Sequence, residues 1–255
     1  MGSSRRVGIH KLDNDDVQLQ DDELAVECLV HLTADSVTIA SLLASPTQLR
    51  ELFVGHAYAE GYGDVRSELF TVNETDTGSV LINMEKELQR RESSERVVTS
   101  SCGACNADGL DEMIASLRYY SGPHPDFSHE LLFSALEQMK SQQVGFQKTG
   151  GMHAAALWNE DTGLRFVSED IGRHNAVDKA IGAALLNNCE PESHFLLLSG
   201  RCGWDLVAKA SRSGVGTIVC IGACSTLAAD TARNLGMRIF SFMKQDSNVG
   251  IGVMR

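Results

Sequence analysis

FLLLSGRCGWDLVAKASRSGVGTIVCIGACSTLAADTARNLGMRIFSF, residues 195–242, decides the fold. Its first four residues, Phe195-Leu196-Leu197-Leu198, are continuously apolar, as in a strand covered on both faces. A helical pattern over Trp204–Ser213 stops at Gly214, and a second strand is expected over Thr217–Ile221. A helix over Thr226–Leu235, with Gly236 as its C-cap, then leads into a third strand, Arg238–Phe242. Strand, helix, strand, helix, strand requires parallel crossovers, and so a layered α/β fold.

Upstream, Ala176, Val177, Ala180, Ile181, Ala184 and Leu185 recur at helical spacing within Asn175–Leu186. Met152–Trp158 and Leu164–Ser168 read as strands joined through Asn159–Gly163. Ser121-Gly122-Pro123-His124-Pro125 breaks the chain ahead of a helix with Leu131, Leu132, Ala135 and Met139 on one face. That break divides a smaller N-terminal α+β region, 17–122, from an α/β domain, 123–255. Residues 1–16 are polar and aperiodic and are expected to form a mobile arm.

Within the N-terminal region, Ser45 as N-cap, Pro46 at the first helical position and Gln48 in a capping box predict a helix start. Leu49, Leu52, Phe53 and Ala57 share its face, and Gly61 ends it. Two strands between Val65 and Met84 flank a turn at Asn73–Gly78. Glu85–Glu95 reads as charged surface, Arg96–Thr99 as a short strand and Leu110–Tyr120 as a helix.

The 255 residues are 43% hydrophobic and 22% charged, enough to bury a full core. A formal net charge of -12 argues against a nucleic-acid partner, which would need clustered Lys and Arg. Arg5-Arg6 precedes no apolar run, so neither a secretory nor a twin-arginine signal is expected, and no apolar run reaches membrane-spanning length. Seven cysteines in such a chain point to a reducing cytoplasm rather than a disulfide framework.

The polar motifs follow the strands. Glu169-Asp170-Ile171-Gly172-Arg173-His174-Asn175, Ser199-Gly200-Arg201-Cys202-Gly203 and Gly222-Ala223-Cys224-Ser225-Thr226 each stand between a strand and a helix. In a parallel sheet such turns gather at the carboxyl edge, where helix N-termini favour anions. Gly172, Arg173, His174, Gly200, Arg201, Ser225 and Thr226 are therefore candidates for holding a negatively charged small ligand. The alternative is that these residues only make tight turns and N-caps.

Cys102-Gly103-Ala104-Cys105 is the remaining chemical motif. A C-x-x-C can form half a zinc site, cycle between dithiol and disulfide, or carry sulfur. Small neighbours leave Cys102 approachable, and Cys105 is spaced to relay a sulfur or to resolve a persulfide. For zinc, the other candidates, Cys220 and Cys224, have C-x-x-x-C spacing, with Cys220 inside an apolar strand. Cys28 and Cys189 stand alone, and Cys202 lies in an edge loop.

TSSCGAC (99–105), TGGMHAAALW (149–158), EDIGRHNAVDKAIG (169–182) and SGRCGWDLVAKASRSG (199–214) resemble, in order and spacing, the signatures of the formate dehydrogenase accessory sulfurtransferases. The likeness runs from about Val37, through SPTQLRELFVGHAYAEG (45–61), to about Phe242. It implies a cytidine deaminase-like layered sheet and a homodimer. It also implies that Cys102 takes persulfide sulfur from a cysteine desulfurase. The acceptor would be molybdenum bis(molybdopterin guanine dinucleotide), sulfurated before insertion into formate dehydrogenase. The family's C-terminal cofactor-binding segment corresponds to Phe242, Met243, Lys244, Gln245, Asp246 and Ser247, where Lys replaces the usual Arg and loses its bidentate fork.

The resemblance favours sulfur transfer over a zinc half-site, with no tightly bound metal expected. A zinc deaminase would need H-x-E ahead of P-C-x-x-C, whereas His153 follows the C-x-x-C and is followed two residues later by Ala155. His153 reads either as a core residue or as facing the edge. His174 and Asp170 read as an acid-base pair, or Asp170 and Asn175 as helix caps. Two other functions stay open: a cofactor-binding chaperone with redox-sensing cysteines, and a zinc hydrolase on the same scaffold.

Overall fold

In the computed structural model, which describes residues 2–13, 16–76, 78–88, 114, 117–124 and 126–254, the run Phe195–Leu198 is buried on both faces. Phe195 and Leu197 face one apolar cluster, while Leu196 and Leu198 face the other. Full burial of such a side chain contributes about 1.5–3 kcal/mol. A strand flanked by two cores therefore gains from both rows of side chains.

The strands and helices, in chain order, are β1 (Ser4–Asp13), β2 (Asp16–Ala25), β3 (Cys28–Ala34), β4 (Val37–Ala44), α1 (Leu49–Ala59), β5 (Phe70–Glu74), β6 (Val80–Met84), α2 (His129–Ser141), α3 (Val144–Thr149), β7 (His153–Asn159), β8 (Gly163–Asp170), α4 (Arg173–Leu186), β9 (Phe195–Leu198), α5 (Trp204–Arg212), β10 (Thr217–Cys220), α6 (Thr226–Asn234), β11 (Arg238–Lys244) and β12 (Ser247–Gly252). A mixed six-stranded sheet has the order β12-β11-β10-β9-β7-β8, with β9, β10 and β11 parallel as expected. β7 runs antiparallel to both β8 and β9, so β8 points the same way as β9 and the three βα turns share one edge. α4, α5 and α6 line one face, and α2 covers the other through Leu132, Ala135, Leu136 and Met139, leaving Leu131 exposed. A four-stranded sheet, β4-β3-β6-β5, closes over α1.

α1 and α4 cross backbone to backbone. A Cβ on Gly55 would collide with the Asp178 carbonyl, and one on Gly182 with that of Glu51. The core runs across the boundary expected at 122/123, since residues of α1 and α4 share it.

Two expectations need correction. Residues 4–13 are not a mobile arm: they pair in register with Asp16–Ala25 as an antiparallel ribbon exposed on both sides. Exposure removes the alternation of apolar residues by which a strand is recognised. Ser45 is not the N-cap of α1, because Gln48 takes that position with φ 51 and no side-chain cap. Ser45 is recruited elsewhere, its N–H donating to Asp170 Oδ2 (3.0 Å) and its Oγ accepting from the Ile171 N–H (3.2 Å).

The C-x-x-C loop with Cys102 and Cys105, the strand expected over Arg96–Thr99 and residues 110–113 of the next helix lie outside the described residues. Arg118–Tyr120 is irregular rather than helical, with the Arg118 N–H donating to Ser211 Oγ and the Tyr120 N–H to the Leu235 carbonyl. Among the described residues no helix is long and apolar enough to cross a membrane.

Candidate functional site

Much of EDIGRHNAVDKAIG proves to be scaffold. Asp170 is fully buried: its Oδ1 accepts from the Gly172 N–H (2.8 Å) and Asn175 Nδ2 (2.9 Å), and its Oδ2 from Lys179 Nζ (2.6 Å). Lys179 also donates to the Ser45 carbonyl (3.0 Å), tying the β4–α1 turn to the start of α4. Asp178 accepts from Lys209 Nζ (2.8 Å), whose other partner is Glu60 (2.6 Å). Asp170 is thus a structural hub and not the partner of His174, correcting the acid-base pair.

His174 pairs instead through Nε2 with the carboxylate of Asp205, in the first turn of α5. Burial holds the His174 pKa below its ordinary value against the opposing pull of Asp205. Burial would raise Asp205, but the hydrogen bond and charge of His174 and the nearby Arg173 hold it below its ordinary range. Near pH 7 the pair is therefore neutral imidazole on ionised carboxylate, and His174 carries its charge only at lower pH. Arg173 Nη2 lies 3.7 Å from the same carboxylate. No local signal in the sequence marks Asp205, since its partners lie one helix away.

Three strand ends and the start of β7 meet at the carboxyl edge. The Ala154 N–H donates to Ser199 Oγ (2.8 Å) and the Ser199 N–H to the Ala154 carbonyl (3.0 Å), fixing His153 beside Gly200. A Cβ on Gly200 would stand 3.2 Å from His153 Nδ1, and one on Gly222 2.9 Å from the Gly200 carbonyl. Glycine is needed at Gly222 to let the loops approach, whereas at Gly200 the His153 ring would have to give by a few tenths of an ångström. The Phe242 N–H donates to the Gly222 carbonyl (3.0 Å), bringing β11 to the same edge. Phe242 has φ 50 at an irregularity in the β11–β12 pairing, a left-handed conformation unusual for an aromatic residue, and is exposed.

Several donors at this edge are unmatched. Arg201 is exposed and makes no ion pair among the described residues. The His153 side chain is half-buried without a hydrogen-bond partner among the described residues. Its pKa is depressed first by burial, then by Arg173, His174 and Arg201, so the ring is neutral near pH 7. The buried Trp204 Nε1 and Arg173 Nε also lack partners among the described residues. Gly172 and Gly203 start α4 and α5 without side-chain caps. At α6, by contrast, Ser225 Oγ accepts from the Ala228 N–H (3.2 Å), as the capping alternative expects, while Thr226 is exposed beside it. Beyond Phe242 the chain buries Met243 in the sheet core and turns back through Lys244, Gln245, Asp246 and Ser247, with the Gln245 carbonyl accepting from His129 Nε2.

This arrangement can hold an anionic group against guanidinium and backbone donors, with a neutral imidazole alongside. The sequence profile of the FdhD/NarQ family matches residues 25–249. The chain belongs to that family. It is 32% identical over 250 residues to the sulfur carrier protein FdhD of Sulfurisphaera tokodaii, covering 95% of this chain and 94% of the relative. It is also 32% identical over 236 residues to the sulfur carrier protein FdhD of Chromobacterium violaceum, covering 88% and 86%. A Desulfotalea psychrophila crystal structure, described as that of a formate dehydrogenase accessory protein, superposes with a TM-score of 0.76 over 100% of this chain and 99% of that one. At 20% identity this likeness shows the fold. The family expected from the four motifs is thus the family found.

Proposed function

We propose that this protein is a sulfurtransferase that carries persulfide sulfur from a cysteine desulfurase to molybdenum bis(molybdopterin guanine dinucleotide), bound as substrate, for formate dehydrogenase. In this reading the Cys102 thiolate attacks the outer sulfur of the desulfurase persulfide, the donor S–S bond breaks, and the desulfurase thiolate leaves. Cys105 then relays or resolves the sulfur. The phosphates of the dinucleotide arms lie at the starts of α4 and α5, against Arg173 and Arg201, with Phe242–Ser247 as the flanking segment. His174 and Asp205 hold Arg173 in position. The reading includes a cytidine deaminase-like core, a homodimer and a cytoplasmic setting.

The observation that carries it is the set of unmatched donors at the carboxyl edge of a chain with net charge -12. Membership of a family whose relatives are named sulfur carriers supports the sulfur chemistry. Incubation with a cysteine desulfurase and sulfur-labelled cysteine, followed by peptide mass spectrometry, tests it. Label is expected on Cys102, and Cys102→Ser is expected to abolish loading while nucleotide binding persists. Label elsewhere with Cys102 unmodified contradicts the assignment.

A further inference from the structure

Outside the C-x-x-C loop, the thiols are concentrated beside the same edge. Cys202 follows β9, Cys224 follows β10, and the two stand opposite one another in a short parallel bridge. The Cys202 N–H donates to the Ala223 carbonyl (2.9 Å) and the Ser225 N–H to the Cys202 carbonyl (3.1 Å). Backbone bonds therefore bracket Cys224 on both sides and hold it against Cys202. Cys202 is buried and Cys224 is partly open to solvent.

The two thiols are unequal. The neighbouring Cys202 thiol and Arg233 hold Cys224 below the ordinary thiol range against the cost of burial, while Cys224 Sγ donates to the Ser225 carbonyl (3.4 Å) and Cys202 Sγ to the Gly203 carbonyl (3.9 Å). The neighbouring Cys224, together with burial, raises Cys202. Cys220, inside β10, is pushed up to about 12 by burial and is inert. The thiols belong to no metal-holding group among the described residues. An approachable thiol of lowered pKa held beside a buried thiol is the arrangement of an attacking and a resolving cysteine.

We propose that Cys224 is a second sulfur-accepting thiol, reacting with low-molecular-weight persulfides, and that Cys202 discharges the accepted sulfur as hydrosulfide. In the first step the Cys224 thiolate attacks the outer sulfur of a persulfide RSSH. A bond forms between that sulfur and Cys224, the S–S bond of the donor breaks, and RS⁻ leaves and takes up a proton. In the second step the Cys202 thiol gives up its proton and its sulfur attacks the inner sulfur on Cys224. Hydrosulfide leaves, and a Cys202–Cys224 disulfide remains. Two thiols have lost two electrons and the transferred sulfur has gained them. A dithiol reductant resets the pair. The proposal rests on the sulfur-carrier reading for its place in the cell, but its chemistry does not pass through Cys102.

Full-length protein with Cys102→Ser and Cys105→Ser removes the C-x-x-C loop from the experiment. This protein is treated with glutathione persulfide, released hydrosulfide is measured and the thiol peptides are mapped. Hydrosulfide release and a cross-linked Cys202–Cys224 peptide are expected. Adding Cys202→Ser should trap one extra sulfur on Cys224 and lower release by roughly tenfold or more. Adding Cys224→Ser, at a partly exposed position, should remove both the trapped sulfur and the disulfide. Release unchanged by Cys224→Ser, or no sulfur on Cys224 and no cross-link, overturns the proposal. If the desulfurase fails to load Cys102 in the wild type while this pair still discharges persulfide, only the sulfur-carrier reading falls.

Discussion

Charged side chains gather in two regions of this molecule with opposite outcomes. Between α1, α4 and α5, Lys209 bridges Glu60 and Asp178, His56 Nδ1 lies 3.1 Å from Asp178, and Arg212 lies 3.4 Å from Glu60. At the carboxyl edge, Arg201 and His153 have no such partners among the described residues, and Trp204 Nε1 and Arg173 Nε are buried unmatched. Desolvated charge survives in a scaffold only when it is matched, because an unpaired buried ion costs several kcal/mol. Donors left unmatched at an exposed edge gain when a ligand completes them. Ion pairs are dense between α1, α4 and α5, whereas at the edge Asp205 pairs with His174 and Arg173, and Arg201 is left without an ion pair among the described residues.

The largest effect expected on the scaffold side is from Gly182→Ala. The new Cβ meets the Glu51 carbonyl, so α1 and α4 must separate along the core they share. A loss of about 3 kcal/mol or more is expected in urea unfolding. Stability equal to wild type would mean that the helices do not cross at that point.

Glu60→Gln should have a somewhat smaller effect, and one that depends on pH. Burial raises the Glu60 pKa, but Lys209 and His56 outweigh it and hold the group at about 2, against an ordinary 4.5. A depressed carboxylate stabilises the fold fully above its unfolded value, and that stability is lost as pH falls from 4.5 towards 2. The difference between wild type and Glu60→Gln should be about 3 kcal/mol at pH 7 and shrink towards zero near pH 2. Urea titrations across that range check it, and a difference independent of pH would break the assignment. His153 and His174 act in the same direction at higher pH. Their folded values are depressed, so the unfolded chain binds more protons and stability declines as pH drops below about 6.5.

The smallest stability effect belongs to the site. Arg201→Ala removes an exposed side chain that makes no ion pair among the described residues and should change unfolding by about 0.5 kcal/mol or less. A large loss would place Arg201 with the scaffold and erase the contrast between the two regions.

Residues 152–244 were legible because their signals are local. Phe195–Leu198 is apolar on both faces, Gly214 and Gly236 stop helices, and the polar turns recur after each strand. The shared edge followed from strand direction, even though β7 intervenes as an antiparallel strand that the apolar pattern does not distinguish. What stayed hidden depends on partners distant in sequence. Asp170 reads as a helix cap until Lys179 and Ser45 converge on it, His174 finds Asp205 31 residues away, and Gly55 is ordinary until Asp178 approaches. The ribbon β1–β2 and the closing strand β12 bury too little apolar surface to leave a period in the sequence.

The central claim is that the carboxyl edge holds the phosphate arms of the acceptor, and calorimetric titration with GDP of wild type and Arg201→Ala tests it most directly. A charge-assisted contact contributes about 1.5–3 kcal/mol, so affinity should fall by roughly one to two orders of magnitude. ADP should bind the wild type more weakly than GDP, and persulfide loading of Cys102 should be unaffected by the substitution. Equal GDP affinity in the two proteins, or loading lost with binding intact, would contradict the account.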